Sequence, residues 1–442
     1  ALGRLRRRGA PSAQAPRPAP LGDRNRAAGR RARSAARLAA TLGRLRGPFA
    51  KMGQFASLRV DVLEPEVREA LAGLRRRIPP LPAPWIREVV ERELGAPLPE
   101  RFARFDPVPL GAASIAQAHR AALPDGTEVV VKVQYPWLAA SLPADLRWLR
   151  ALLRAGGGRA LLESGAFEEF AAAVAEELDF RREAAVAREI AANLADDPSV
   201  VVPRVVESHS ARRVLTVEWL PALPIDDREA LARRGVAPAA VLEIVARAYA
   251  RMVFGDGVFH ADPHPGNLFV LDEPTAGEAP RVLFVDFGLS KRLDPALRAE
   301  LRRGILALLK GDLEAFLAGM HRMGMVAPGA EPAVREAVAS MFARLRGEGG
   351  GPLGLGGERV RALKDEAKRL LAETPGLVLP TELLLYAKTV SYLFGLGAEL
   401  APQVDLMRLS VPHLLRFLAE RDPAEGARAA SAAPRAADPA AG

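Results

Sequence analysis

"HADPHPGNLFV", residues 260–270, and "RVLFVDFGLS", residues 281–290, together decide how this chain folds. The first places Asp262 and Asn267 five residues apart, and the second ends an apolar strand on Asp286. Phosphoryl transfer needs an acid near the acceptor oxygen, and an Asn and an Asp to hold magnesium between phosphates. These two stretches offer that set.

Upstream, "VVVKVQYP" (residues 129–136) puts Lys132 on a β-branched strand. An H-x-D-x-x-x-x-N run followed by D-F-G, with a strand lysine upstream, is the order found in protein kinases. D-F-G alone reads as a surface turn, and a lone strand lysine as an edge residue. All four elements in the correct order argue against coincidence. His260 and His264 flank Asp262, but with six His and no Cys in the chain they read as packing or loop-ordering residues, not metal ligands.

The surrounding pattern places these motifs. "GAASIAQAHRA" (111–121) and the run from Val129 to Val133 read as two strands joined by the turn signal "PDG". "SVVVPRVV" (199–206) and "RRVLTVEWL" (212–220) read as two more. Residues 166–195 read as one strong helix, and residues 238–420 as mainly helical. From 47 to 100 apolar residues recur at helical spacing (Phe55, Leu58, Val62; Val67, Leu71, Leu74), interrupted at "IPPLPAP".

The expected glycine-rich loop departs from the usual form. G-x-G-x-x-G maps onto Gly111, Ala113 and Ala116, and a Cβ obstructs both close phosphate approach and positive φ. The bland reading is a plain turn; the sharper one is an altered nucleotide loop.

Composition bounds the rest. At 442 residues and 49% hydrophobic content the chain can bury sizeable cores. Zero cysteines exclude disulfides, thiolate zinc sites and Cys nucleophiles, which fits a reducing compartment. No window reaches about 18 uncharged apolar residues. The best candidate, "LVLPTELLLYAKTVSYLFGLGAEL" (377–400), carries Glu382 and Lys388 and reads as buried helix. No signal peptide is visible. Residues 1–50 hold 13 Arg against one acid, Asp23, a net of +12; the whole chain carries +9, so the remainder sums to −3. Such an arm is a solvated tail or a contact for an anionic surface. Nucleic acid is the less favoured alternative partner for the arm: no aromatic interleaves with the arginines, so stacking on single-stranded bases has no support.

"KMGQ" (51–54), "GAASIAQAHRA", "VVVKVQYP", "ELDFRREA" (177–184), "HADPHPGN" and "VDFG" together resemble the UbiB-like (AarF-type) atypical kinase family. That family includes proteins tied to ubiquinone biosynthesis. The resemblance spans roughly residues 47–400. It implies an α+β, protein-kinase-like two-lobed fold: a small mixed β/α N-lobe, a mainly helical C-lobe and an N-terminal helical extension. The expected divisions are a basic arm (1–46), the extension (47–100), the N-lobe (101–220), the C-lobe (221–422) and an Ala/Pro-rich tail (423–442).

The resemblance also implies ATP and Mg2+, with ATPase more readily shown than protein-kinase activity. Carried over, Lys132 contacts phosphates and pairs with Glu183, Asp262 is the catalytic acid, and Asn267 and Asp286 ligate magnesium. Gly111, Ala112, Ala113, Ser114, Ala116 and Glu218 line the nucleotide. Lys51 and Gln54, three apart and on one helical face, form a lid reaching Glu177 and Asp179, with Glu183 four residues on along the same helix.

Two departures stand out. Arg75 and Arg76 occupy the positions where the family carries a Gln-Asp pair before its Pro-Pro. After Gly288 the chain runs directly into "PALRAELRRGILALLKGD" (295–312), with no A-P-E signal, which argues against a docked peptide substrate. The reading is a kinase-like ATPase or phosphotransferase acting on or beside isoprenoid-quinone lipid, cytoplasmic and peripheral at the inner membrane face. A small-molecule phosphotransferase and a non-catalytic nucleotide-binding scaffold are the alternatives.

Overall fold

A computed structural model of the chain describes residues 48–49, 51–52, 79–156, 162–163, 165–272, 279–347, 366, 369–371 and 373–420. The arm 1–46, Gln54, the apolar periodicity from Phe55 to Leu74, Arg75, Arg76 and the tail from 423 lie outside the described residues.

Strand alternation builds the first layer. In β4 (Glu128–Gln134), Val129, Val131 and Val133 are fully buried on one face. Lys132 therefore stands on the other, because successive strand side chains point to opposite faces. β3 (Ala116–Ala122) and β6 (Val214–Glu218) flank β4, and β1 (Arg104–Phe105) and β2 (Gly111–Ala112) both pair with β3, all antiparallel. Gly126, at φ +86, closes the "PDG" turn between β3 and β4.

Helix α1 (Ala83–Leu94) covers the valine face. Its buried residues Ile86, Val89 and Val90 recur at helical spacing and share a core with Val129, Val131 and Val133. Gln117 clamps the segment leading into α1: its Oε1 accepts from Leu81 N at 2.7 Å and its Nε2 donates to Leu81 O at 3.2 Å.

Residues 166–195 form two helices where the periodicity predicts one. α2 (Leu138–Gly156) packs against α3 (Ala166–Glu177), and α4 (Phe180–Asn193) starts afresh after Leu178. Asp179 causes the break: its side chain accepts from Arg181 N and caps the new helix while its own backbone stays extended. Glu183 thus sits in the first turn of α4, and Asp179 precedes the helix instead of sharing a face with it.

A second sheet lies beyond β6. β10 (Val282–Phe284) pairs antiparallel with β9 (Leu268–Leu271), β9 pairs with β7 (Ala222–Pro224), and β5 (Val200–Val201) runs parallel to β10. β5 precedes β6 in the chain yet belongs to this second sheet. β8 (Val258–Phe259) pairs with β11 (Lys291–Arg292).

Helices complete the larger lobe. α5 (Pro238–Ala250) is buried almost all round and packs against α9 (Thr381–Leu400) and α10 (Leu406–Ala419). α6 (Pro295–Lys310) leads to α7 (Leu313–Arg322) and α8 (Glu331–Gly347), whose core holds Leu317, Met320, Val338 and Phe342. Among the described residues no helix is long and apolar enough to cross a membrane.

Phe49 and Met52 dock on a small separate core made by Leu149, Leu153, Phe167, Phe170 and Val174. Met52 is fully buried there, so the side chain, not local helix propensity, holds this segment on the body. Truncation Met52→Ala removes apolar contact and leaves a cavity, a change of about 2–5 kcal/mol in a core. Here it should release the segment. We expect hydrogen exchange at residues 48–52 to accelerate at least tenfold while exchange in β4 and α5 stays unchanged; equal acceleration everywhere would contradict a separately held segment.

Candidate active site

Lys132 is the centre of the site. Its Nζ donates to Glu183 Oε1 at 2.8 Å and Oε2 at 3.0 Å, and to Asp286 Oδ1 at 2.9 Å. It also lies 5.2 Å above the Phe180 ring. Three elements therefore meet at one ammonium: strand β4, the first turn of α4 and the backbone that follows β10.

One cation facing two carboxylates sets the charge balance. Burial works to lower the Lys132 ammonium, but Asp286 and Glu183 override it and hold it well above its ordinary value. Burial works to raise the Asp286 carboxyl, yet Lys132 holds it well below the usual carboxylate range, with help from Lys51. Glu183 is the acid that yields. Burial pushes it up to about 7, Asp286 adds to the rise, and Lys132 only partly opposes it.

Asp286 is held in an uncommon conformation. At φ 61 and ψ 78 it is the one non-glycine among the described residues with positive φ, and its Oδ1 also accepts from Gly288 N at 3.4 Å. A Cβ on Gly288 would lie 3.3 Å from that oxygen and 3.4 Å from Glu183 Oε2, tight enough to push on both. A larger residue here would press on both carboxylates.

His260 joins the two acidic loops. It is buried, and its Nε2 faces the carbonyl oxygens of Val285 at 3.1 Å and Asp286 at 3.0 Å. Carbonyls only accept, so Nε2 carries the proton and Nδ1 accepts from Tyr249 Oη at 2.9 Å and Asp262 N at 3.4 Å. Burial lowers the His260 pKa and keeps the ring neutral. His264 Nδ1 accepts from Gly266 N at 3.0 Å and orders the next turn. Both histidines order loops, as expected.

Asp262 is held at both oxygens. Asn267 Nδ2 donates to Oδ2 at 3.1 Å and to the Asp262 carbonyl at 3.1 Å. Lys388 Nζ, from α9, donates to Oδ1 at 3.0 Å. With its nitrogen committed, Asn267 has its amide oxygen left over for other contacts. Among the described residues no three His, Asp or Glu gather into a metal cage. Magnesium does not need one, since it usually takes one or two protein oxygens and leaves the rest to water and phosphate. The Asn267 oxygen and the Asp286 carboxylate fit that requirement, as Asp286 keeps 46% of its side chain accessible.

The altered loop is a tight hairpin. Ala113 N donates to Ala116 O at 2.8 Å, so Ser114 and Ile115 alone make the turn between β2 and β3. No residue from Gly111 to Ala116 has positive φ. The alanines thus meet no conformational obstacle, which corrects the expectation that they forfeit a needed positive φ. Tyr135 staples the turn, its hydroxyl donating to Ala113 O at 2.9 Å and its N–H to Ile115 O at 3.0 Å.

The other anticipated residues divide. Lys51 Nζ pairs with Glu177 Oε1 at the end of α3. Asp179 accepts from the backbone and guanidinium of Arg181, and Gln54, the lid residue expected near it, lies outside the described residues. Glu218 ends β6 opposite Val129, its N–H donating to Arg204 O at 2.9 Å. Sequence reasoning missed Lys388, Tyr249 and Tyr135. Only Lys388 left a signal: a lone cation in an apolar helix.

The Glu183 shift fixes a pH response. Its folded value near 7 lies above the ordinary 4.5, so between these values the folded state holds a proton that the unfolded chain releases. Stability from this group is then full below about pH 4.5 and falls as the pH rises through 7. At about 1.4 kcal/mol per pH unit, the loss amounts to at most about 3.5 kcal/mol. Glu183→Gln cannot lose that proton. Chemical denaturation from pH 5 to 8 should show wild-type stability declining relative to Glu183→Gln; parallel curves would refute the shift.

Comparison with known proteins agrees with this geometry. Residues 73–319 match the ABC1 atypical kinase-like domain. The chain is 33% identical over 389 residues to "Probable protein kinase UbiB" of Marinobacter nauticus, covering 85% of this chain and 68% of that protein. A Pseudomonas aeruginosa protein of the same name is 32% identical, covering 85% and 70%. "Protein ACTIVITY OF BC1 COMPLEX KINASE 8, chloroplastic" of Arabidopsis thaliana is 31% identical, covering 86% of this chain and 53% of that one. The solved complex of Rv3197 with erythromycin, from Mycobacterium tuberculosis, superposes with a TM-score of 0.50 at 24% identity, covering 90% of this chain and all of that one. That likeness shows the fold: α+β and kinase-like.

Proposed function

The chain belongs to the UbiB-like ABC1 atypical kinase family, and from that premise we propose that it transfers the terminal phosphoryl group of ATP, to water or to a small acceptor, in the service of isoprenoid-quinone lipid metabolism. One observation carries the reading: Lys132 is gripped by Glu183 and Asp286 while Asp262 and Asn267 are tied together across the same buried histidine loop. A scaffold without catalysis has no use for this complete set.

The roles follow from placement. Lys132 would meet the phosphates, oriented by Glu183. Asp262 would accept the proton of the attacking hydroxyl or water. Asn267 and Asp286 would hold magnesium, which when bound neutralises charge between the phosphates. The Gly111–Ala116 hairpin would lie over the nucleotide and Glu218 beside it. Lys51, anchored through Phe49 and Met52, would occupy the acceptor side as a lid.

A small acceptor is favoured over a peptide by one feature. Six residues separate Gly288 from Pro295 at the start of α6, and two of them, Lys291 and Arg292, are paired with β8. That leaves no activation segment on which a peptide could lie. The quinone link rests on resemblance to proteins named UbiB. The +12 of residues 1–50 supports a peripheral contact with anionic lipid at the inner membrane face, at about 1 kcal/mol per engaged Arg. Flotation with anionic liposomes should fall when residues 1–46 are removed; equal flotation would dismiss the arm.

The test of the phosphoryl-transfer reading is Asp286→Asn. Wild type should gain thermal stability from ATP only with magnesium present and should turn ATP over. Asp286→Asn should lose the magnesium-dependent gain and at least about 10²-fold in turnover, the scale for losing one preorganised charge. An unchanged thermal shift with Mg·ATP in the variant would overturn the assignment.

A further inference from the structure

Lys388 stands where a surface lysine has no reason to be. Helix α9 is apolar around it, with Leu384, Leu385 and Thr389 buried, and the Lys388 side chain is only 13% accessible. A neutral Gln or Ser could hydrogen-bond a carboxylate with far less desolvation, so a charge in this place asks for an electrostatic task. Its position is also fixed. Nζ lies 3.0 Å from Asp262 Oδ1 and 5.4 Å above the ring of Tyr392, one helical turn on, which itself meets the His264 ring at 6.5 Å.

Donor accounting separates Lys388 from Lys132, and its partner separates it from Lys51: of the three, Lys388 is the one bonded to Asp262. Lys132 spends its hydrogens on Glu183 and Asp286, and Lys51 pairs with Glu177. An ammonium has three donors. Among the described residues Asp262 Oδ1 is the one hydrogen-bond acceptor that Lys388 meets, so it has donors left for a further anion. That anion would sit beside the acid that receives the acceptor's proton.

We propose that Lys388 is a catalytic residue of the phosphoryl transfer assigned above, its ammonium bridging the Asp262 carboxylate and the terminal phosphoryl group. The inference rests on that reading. In the step, the acceptor oxygen bonds to phosphorus as the bond to the β–γ bridging oxygen breaks, and ADP leaves with that electron pair. The acceptor's proton passes to Asp262. Lys388 keeps its own proton throughout and stabilises charge on the equatorial oxygens of the transferring group. Helix α9 thereby supplies, from well over a hundred residues away in the chain, a cation that the 260–267 loop itself does not contain.

Three substitutions and a chemical repair test this. Lys388→Met should lower kcat about 10²- to 10³-fold, as loss of one preorganised donor does, with the dissociation constant for Mg·ATP changed less than about threefold. Lys388→Gln keeps a hydrogen bond to Asp262 without the charge and should be as slow as Lys388→Met. Because the chain has no cysteine, Lys388→Cys can be alkylated at one place by 2-bromoethylamine, restoring an ammonium at nearly the original reach. That treatment should recover at least tenfold in kcat, and should do nothing for Lys388→Met.

The opposing outcomes are distinct. Near-wild-type turnover in Lys388→Gln would make Lys388 a tether between α9 and the loop. Parallel loss of kcat, nucleotide affinity and melting temperature would show the same. Wild-type protein no faster than Asp262→Asn would overturn both this inference and the phosphoryl-transfer reading, whereas an active wild type matched by Lys388→Met would overturn this inference alone.

Discussion

A single ammonium shared by two acids is the constraint on which this fold turns. Lys132 comes from the centre of one sheet, Glu183 from the first turn of a helix, and Asp286 from the loop leaving the other sheet. Glu183, with 6% of its side chain accessible, would be costly to bury without Lys132, whereas Asp286 stays open to solvent. The valine face of β4 must lie against α1 for Lys132 to point inward. Asp179 must restart the helix for Glu183 to stand in its first turn. His260 donates to the carbonyl of Asp286, the residue with positive φ. The charge cluster thus ties together elements that lie far apart in the sequence.

The remaining machinery is assembled in the same manner. Lys51 reaches Glu177 across 126 residues of sequence and Lys388 reaches Asp262 across 126 more. Three lysines arrive from the N-terminal segment, the small sheet and a late helix; Lys51 and Lys388 each meet one acid, and Lys132 meets two. A phosphoryl site must present positive charge to its substrate without collapsing on itself in the substrate's absence, and pairing each lysine with a carboxylate accomplishes that.

Local rules made much of this legible. The H-x-D-x-x-x-x-N and D-F-G runs, the β-branched strand at Lys132, the "PDG" turn and the mixed-then-helical order were all readable, because spacing and turn chemistry are local. The α+β kinase-like class followed from the family resemblance that these motifs carry. The division of residues 166–195 into two helices was missed because periodicity registers the apolar stripe but not a side-chain cap, and Asp179 supplies the cap. The role of β5 was missed because parallel pairing with β10, some eighty residues on, leaves no mark in either strand. Lys388 was visible as an oddity in an apolar helix, yet only the packing of α9 against the 260–267 loop gives it a partner. Tyr135 and Tyr249 looked like ordinary core aromatics, and their hydroxyls matter only through the backbone and ring nitrogen they meet.

The alanine hairpin above the lysine bears on how nucleotide would be admitted. A glycine-rich turn can sink and lift, because its backbone samples many conformations and must be ordered anew each time a ligand arrives. Here two residues make the turn, its ends are bonded through Ala113 and Ala116, and Tyr135 is fixed to both sides of it. Its conformational entropy is already lost in the free protein. If nucleotide lies beneath it as proposed, such a turn would act as a gauge, admitting what matches its height and adapting little to what does not. Replacing its alanines by glycine would add freedom without adding reach, and selectivity among nucleotides would be the property to suffer first.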